Sequence, residues 1–133
     1  SFGVPYNYSQ IAYPEAPIPD MLDALCASIE RALGFRPNNC LLNFYADGES
    51  SMGFHSDTSV GLAPDTGVAI VSLGAQWSIV FRNKADKAIE IDVPLPHGSL
   101  LHMPDSMQAL WLHAIPKTPG ARARISVTFR KIA

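Results

Sequence analysis

The spacing of the apolar residues changes once along this 133-residue chain, and this change constrains the fold more than any other feature. Near the N-terminus the apolar residues recur every three or four positions, which is the spacing of one buried helical stripe. From about residue 40 onward they alternate with polar residues, as in a half-buried strand. The pattern therefore predicts one helix packed on a mainly β structure.

The helical stripe predicts a single helix over Asp20–Leu33. Pro19 precedes this helix, and Gly34 with Pro37 ends it. Residues 1–18 are rich in proline and aromatic side chains, which favours an extended arm over a regular element.

The alternating region predicts a series of strands separated by turn sequences such as Asp47-Gly48 and His97-Gly98. Eleven prolines and nine glycines also favour many short strands joined by turns. One helix followed by about seven or eight short strands is typical of a β-sandwich or jelly-roll barrel. The predicted strands are Cys40–Ala46, Val68–Leu73, Trp77–Arg82, Ala88–Val93, Ser99–Met103, Met107–Ile115 and Arg124–Arg130.

Composition excludes several classes of protein. Hydrophobic residues make up 47% and charged residues 17% of the chain, so a folded core is expected and disorder is not. No apolar run approaches the roughly 20 residues of a membrane span, so we expect no membrane association. The length suits one domain over residues 1–133. Cys26 and Cys40 are too few for a disulfide framework and predict reduced core residues in a cytoplasmic protein.

The segment Arg124–Arg130 alternates between two kinds of side chain. Arg124, Ser126, Thr128 and Arg130 share one face, while isoleucine, valine and phenylalanine share the other. If both faces are buried, the arginines line a cavity and need an anionic partner, for which a carboxylate ligand is suitable. The alternative is a solvated basic edge of the sheet.

A second polar pattern is His55-Ser56-Asp57, in which an imidazole and a carboxylate two residues apart can reach one metal ion. With a second histidine they form the facial triad of non-haem iron enzymes. His97, His102 and His113 are candidates for that histidine, and the residues alone favour His113 without excluding His102. The alternative is a coincidental surface pair.

Six short motifs follow one another in a fixed order along the chain. They are Asn43-Phe44-Tyr45-Ala46-Asp47-Gly48, His55-Ser56-Asp57, Ser72-Leu73-Gly74, His97-Gly98-Ser99-Leu100-Leu101, Trp111-Leu112-His113-Ala114-Ile115-Pro116 and the strand Arg124–Arg130. The ordered series resembles the AlkB family of Fe(II)/2-oxoglutarate-dependent dioxygenases, which repair alkylated nucleic acid bases. The resemblance covers nearly the whole chain and implies a double-stranded β-helix fold that uses Fe(II), 2-oxoglutarate and O2.

The resemblance implies a role for each matching residue. His55, Asp57 and His113 correspond to the iron ligands and are the predicted catalytic centre. Arg124 corresponds to the arginine that pairs with the distal carboxylate of 2-oxoglutarate, and Arg130 to the second arginine of that motif. His97 and His102 then take structural roles.

Further residues are predicted around the cosubstrate and the base. Asn43 and Tyr45 match hydrogen-bonding partners of 2-oxoglutarate, and Ser126 and Thr128 supply small donors between the two arginines. The resemblance also implies three substrate-binding residues. They are Tyr6, Tyr8 and Ser59, the last standing where many members of the family carry an acidic residue.

The implied function is oxidative demethylation of N-alkylated bases in DNA or RNA, with release of succinate, CO2 and formaldehyde. The alternatives are the same iron chemistry on a protein side chain or small molecule, and a non-catalytic, metal-bound jelly-roll binding module. We expect a monomer whose upstream nucleotide-recognition segment is missing. Candidate contacts to nucleic acid phosphates are Arg82, Lys84, Lys87 and Lys117.

Overall fold

A computed structural model describes residues 1–5 and 14–133 of the protein. The predicted helix is confirmed as α1 (Asp20–Leu33), which follows Pro19 and ends at Gly34. Gly34 has a φ of 84° and donates its backbone N–H to the carbonyl of Glu30, so a residue without a Cβ suits this left-handed cap. Neither helix among the described residues has the length and apolar character needed to cross a bilayer.

The strands of the described residues form two antiparallel sheets. The major sheet has the order β1-β2-β9-β4-β7, and the minor sheet has the order β3-β8-β5-β6. The strands are β1 (Phe2–Gly3), β2 (Asn39–Tyr45), β3 (Met52–His55), β4 (Val68–Gly74), β5 (Trp77–Asn83), β6 (Glu90–Leu95), β7 (Leu100–Met103), β8 (Trp111–Ile115) and β9 (Arg124–Arg130). The mainly β, jelly-roll architecture predicted from alternation is confirmed.

Two apolar clusters hold these layers together. On the outer face of the major sheet, α1 packs its buried stripe, including Cys26 and Ile29, against Val127 and Phe129 of β9. Between the sheets, residues of both layers such as Trp77 and Met103 form a second cluster. Since β9 contributes apolar residues to the outer cluster and polar residues to the interior, both of its faces are buried.

The predicted strand Met107–Ile115 is wrong in its first half. Residues Asp105–Leu110 form a short helix, α2, and the strand begins only at Trp111. Pro104 at the N-cap and Asp105 in the first turn favour this helix start. Met107 and Ala109, which are two positions apart as on one face of a strand, therefore lie in a helix instead.

Smaller differences concern individual strands. The segment 1–18, expected to lack a regular element, contributes the two-residue strand β1 to the major sheet. The predicted strand Ala88–Val93 lies two residues further along, as β6. The extended segment before His55 forms β3, an edge strand that the alternation pattern did not indicate.

Cys26 and Cys40 are free and buried, in agreement with their prediction as core residues.

Candidate active site

A cavity of about 720 Å3 lies between the two sheets. The major sheet contributes polar side chains of β2 and β9 to its wall, and the minor sheet contributes His55 and His113. Most of the residues singled out in the sequence therefore meet in one space. The alternation of β9 explains this arrangement, because its polar face must point into the barrel when its apolar face packs on α1.

His55, Asp57 and His113 form a compact cluster at the cavity. One ligand atom from each residue lies within 4.8 Å of the others. The carboxylate of Asp57 lies between the two imidazoles, with Oδ1 3.7 Å from Nε2 of His55 and Oδ2 3.6 Å from Nε2 of His113. The two ring centroids are 4.2 Å apart. A set of two imidazoles and one carboxylate with this spacing can bind one divalent metal ion.

Sheet pairing brings the two histidines together. His55, the last residue of β3, is the register partner of His113 in β8. Nδ1 of His55 lies 2.8 Å from the carbonyl oxygen of Gly53. A carbonyl can only accept, so Nδ1 donates and Nε2 keeps its lone pair for a metal.

Burial controls the charge of His113. Desolvation is the main cause that lowers the pKa of His113 to about 4, and the nearby His55 and Arg130 act in the same direction. The carboxylate of Asp57 opposes this shift. The imidazole is therefore neutral near pH 7, which is the form that binds metals.

Arg124 occupies the interior with little access to water. Its side chain is 1% exposed, and Nη2 donates to Oγ of Ser72 at 2.9 Å. Nε and Nη1 have no hydrogen-bond partner among the described residues. The guanidinium carbon lies 5.1 Å from the ring centroid of Tyr45, and burial lowers the pKa of Arg124. A buried cation with unused donors provides a site for an anionic ligand.

The other predicted cosubstrate residues surround the same space. Asn43 and Tyr45 of β2 line the cavity, as do Ser126 and Thr128 of β9. Arg130 lines it too, and its Nη2 lies 4.0 Å from Oδ1 of Asp57. Thus the second arginine lies beside the candidate metal cluster.

The two remaining histidines make backbone contacts elsewhere. Nδ1 of His97 accepts the N–H of Gly74 at 2.9 Å, and Nε2 of His102 lies 2.8 Å from the carbonyl oxygen of Thr66. Neither lines the cavity. Such hydrogen-bond contacts with the backbone agree with the structural roles expected for His97 and His102.

Of the three predicted substrate-binding residues, Ser59 alone lies among the described residues. Ser59 is exposed and does not line the cavity, although the adjacent Thr58 does. Tyr6 and Tyr8 lie outside the described residues. Their assignment to base binding stays a prediction.

The sequence analysis missed Gln108, which is buried and accepts the backbone N–H of Asp57 at 2.9 Å. The misassignment of α2 as a strand hid it. The sequence Pro104-Asp105-Ser106, a helix-start signal followed by helix-forming residues, is the feature that could have revealed it.

Residues 2–130 match the family described as the 2OG-Fe(II) oxygenase superfamily. The chain belongs to this superfamily. It carries an intact facial triad in His55, Asp57 and His113, and the superfamily's use of Fe(II) and 2-oxoglutarate applies to it.

Individual relatives give the same result and place the chain among the AlkB-like members. It is 33% identical over 138 residues to the human DNA oxidative demethylase ALKBH2, covering 98% of this chain and 53% of that protein. It is 33% identical over 140 residues to the rat alpha-ketoglutarate-dependent dioxygenase alkB homolog 3, covering 97% of this chain and 47% of that protein. The chain thus spans about half the length of these relatives.

A solved structure of OsALKBH1 has the same fold. It superposes with a TM-score of 0.70 at 20% sequence identity, over 90% of this chain and 66% of that chain. The double-stranded β-helix expected from the sequence is confirmed.

The residues present fit both groups that the superfamily uses. Two imidazole nitrogens and one carboxylate suit Fe(II) and leave coordination positions open. The unused donors of Arg124 suit one carboxylate of a dicarboxylate, since a guanidinium binds such a group through two parallel hydrogen bonds.

Proposed function

We propose that this chain is the catalytic part of an enzyme that oxidatively demethylates N-alkylated bases in DNA or RNA. The products would be succinate, CO2, formaldehyde and the repaired base. The observation that carries the oxygenase chemistry of this proposal is that one cavity holds both the triad cluster and a buried arginine with unused donors.

Arg124 and its neighbours in the cavity would bind and orient 2-oxoglutarate. Arg124 donates one N–H of Nη2 to Ser72, and Nε and Nη1 have no partner among the described residues. Nη1 and the second N–H of Nη2 would make two parallel hydrogen bonds to the distal carboxylate. Such a charge-assisted pair is strong here because the cavity wall shields it from water. Asn43 and Tyr45, on the neighbouring strand, would hydrogen-bond the same ligand.

The triad would hold the metal with a fixed geometry. Bound iron supplies the redox chemistry that couples decarboxylation of 2-oxoglutarate with O2 to hydroxylation of the N-methyl group. The chain itself supplies two imidazoles and one carboxylate that would hold the metal at the cavity.

The nucleic-acid substrate is supported mainly by the relatives rather than by surface charge. One relative is named a DNA oxidative demethylase. Among the candidate phosphate contacts, Nε of Arg82 lies 2.7 Å from Glu90, and Nζ of Lys117 lies 3.7 Å from Glu49. These cations are partly neutralised by their neighbours, so a few local contacts would have to position the substrate.

The test is to incubate the protein with Fe(II), ascorbate, 2-oxoglutarate and a panel of methylated DNA and RNA oligonucleotides. Formaldehyde and succinate are measured together, with unmethylated oligonucleotides of the same sequence as controls. The proposal expects stoichiometric release of both products from methylated oligonucleotides only. A protein extract and a small-molecule panel run in parallel test the other substrate classes.

Two outcomes would contradict the proposal. Formaldehyde release from protein or small molecules alone would keep the iron chemistry and overturn the nucleic-acid substrate. Absence of succinate under every condition, with metal bound, would favour a non-catalytic binding module.

A further inference from the structure

Asp57 differs from the other two triad residues in how its backbone is held. His113 lies in β8, between β3 and β5, and His55 pairs with it at the end of β3. Asp57 comes two residues after that last pair and lies outside any strand. Since a ligand must be held within about 0.5 Å of its productive position, a contact other than the sheet ladder has to fix this residue.

The side chain of Gln108 makes such a contact. Its Oε1 accepts the backbone N–H of Asp57 at 2.9 Å, across 51 positions of the sequence. The side-chain amide is also oriented, because Nε2 donates to Sδ of Met103 at 3.7 Å. Gln108 is only 7% exposed, so water competes little for this hydrogen bond.

Helix α2, which carries Gln108, is itself anchored to the end of β5. The ammonium of Lys84 donates to the backbone carbonyl of Gln108 at 3.0 Å. The backbone N–H of Lys84 donates to the carbonyl of Leu110, also at 3.0 Å. The acceptor that holds Asp57 is therefore fixed at both its side chain and its backbone.

We propose that Gln108 is a positioning residue for the metal centre. It holds the backbone of Asp57 so that the carboxylate stays between the imidazoles of His55 and His113. Gln108 does not contact the metal and acts only through Asp57. This inference rests on the metal centre of the proposed function, and it adds a residue to that centre from outside the triad.

The test measures the dissociation constant for Co(II) by titration calorimetry, a readout that needs neither substrate nor turnover. Gln108→Met keeps the size of the side chain but removes the strong acceptor. We expect its dissociation constant to rise about 10-fold to 100-fold, as for other contacts that orient metal ligands. Gln108→Glu keeps an acceptor oxygen and should restore most of the affinity.

Thr66→Val is the matched control. Thr66 is also buried, and its Oγ1 donates to the carbonyl of Ala63 at 2.7 Å, away from the cavity. Each variant loses one partly buried hydrogen bond between a side chain and the backbone, and Gln108→Met also loses the donation to Met103, so both should lower the melting temperature. Only Gln108→Met should lower the affinity for Co(II).

Three results would overturn the proposal. They are wild-type affinity in Gln108→Met, an equal loss of affinity in Thr66→Val, and no recovery in Gln108→Glu. If the wild-type protein itself fails to bind Co(II), the metal centre is wrong and the proposal falls with it. This last result separates failure of the proposed function from failure of the role given to Gln108.

Discussion

The major and minor sheets differ in what supports them and in what they present to the cavity. The major sheet is covered on its outer face by α1, and its β9 lies between β2 and β4. The outer face of the minor sheet carries exposed contacts such as that between Arg82 and Glu90. The major sheet contributes Arg124 and Arg130, whereas the minor sheet contributes His55 and His113.

The difference shows two ways to position a functional side chain. Arg124 is held by a strand whose opposite face is packed, so its direction follows from the pleat of the sheet. His55 ends an edge strand, and Asp57 lies beyond it. The cavity face formed by β2 and β9, the cosubstrate wall, therefore lies entirely on paired strands, whereas the metal cluster needs a contact beyond the strand register to place Asp57.

The largest effect on catalytic turnover is expected from substitution of His113 in the minor sheet. His113→Ala should lower metal-dependent turnover of 2-oxoglutarate by more than about 100-fold, since loss of a ligand exceeds the loss of a residue that only orients one. His102→Ala is the control, because His102 contacts a backbone carbonyl away from the cavity. Succinate formation measures both variants. If His102→Ala loses turnover and His113→Ala keeps it, the ligand assignment is wrong.

The outer face of the major sheet should show the largest effect on folding. Phe129→Ala should lower the free energy of unfolding by about 3–5 kcal/mol, because the ring is fully buried under α1. Phe44→Ala, on the same sheet but 68% exposed, should change it by less than about 0.5 kcal/mol. Denaturant titration measures both. Similar losses in the two variants would mean that α1 does not define the packed part of this face.

Substitution of Arg124 in the cosubstrate wall should weaken 2-oxoglutarate binding without unfolding the protein. Arg124→Lys should weaken 2-oxoglutarate binding by about 2–5 kcal/mol, because one ammonium cannot make two parallel hydrogen bonds in a buried site. The KM for 2-oxoglutarate measures this effect, with Arg122→Lys at an exposed position as the control. An unchanged KM in Arg124→Lys would assign the carboxylate clamp to another residue.

The smallest effect is expected on the outer face of the minor sheet. Arg82 and Glu90 form a partly exposed ion pair at 2.7 Å. A double-mutant cycle with Arg82→Met and Glu90→Gln should give a coupling free energy of about 0.2–1 kcal/mol. A coupling of several kcal/mol would show that this face is held as firmly as the face under α1.

Local sequence patterns were sufficient to predict the bounds of elements that have a clear period of their own. The helix Asp20–Leu33 and the strand Arg124–Arg130 were predicted with the bounds observed, because each has an uninterrupted period and clear ends. The prediction of one strand over Met107–Ile115 was wrong in its first half. Met107 and Ala109 lie in α2, but their spacing continues the alternation of the strand that begins at Trp111. A six-residue helix is too short for its own period to outweigh such a coincidence.

The sequence by itself determined the chemical groups of the site and the face on which the arginines of β9 lie, since side-chain alternation is a local property of a strand. The residues alone left open which histidine joins His55 and Asp57. The resemblance to the AlkB family implied His113, and the pairing of β3 with β8 in the tertiary structure places that histidine beside them. Only the tertiary structure decided the contact between Gln108 and Asp57, which are 51 positions apart. Contacts of this kind arise from the packing of separate elements, and no local period encodes them.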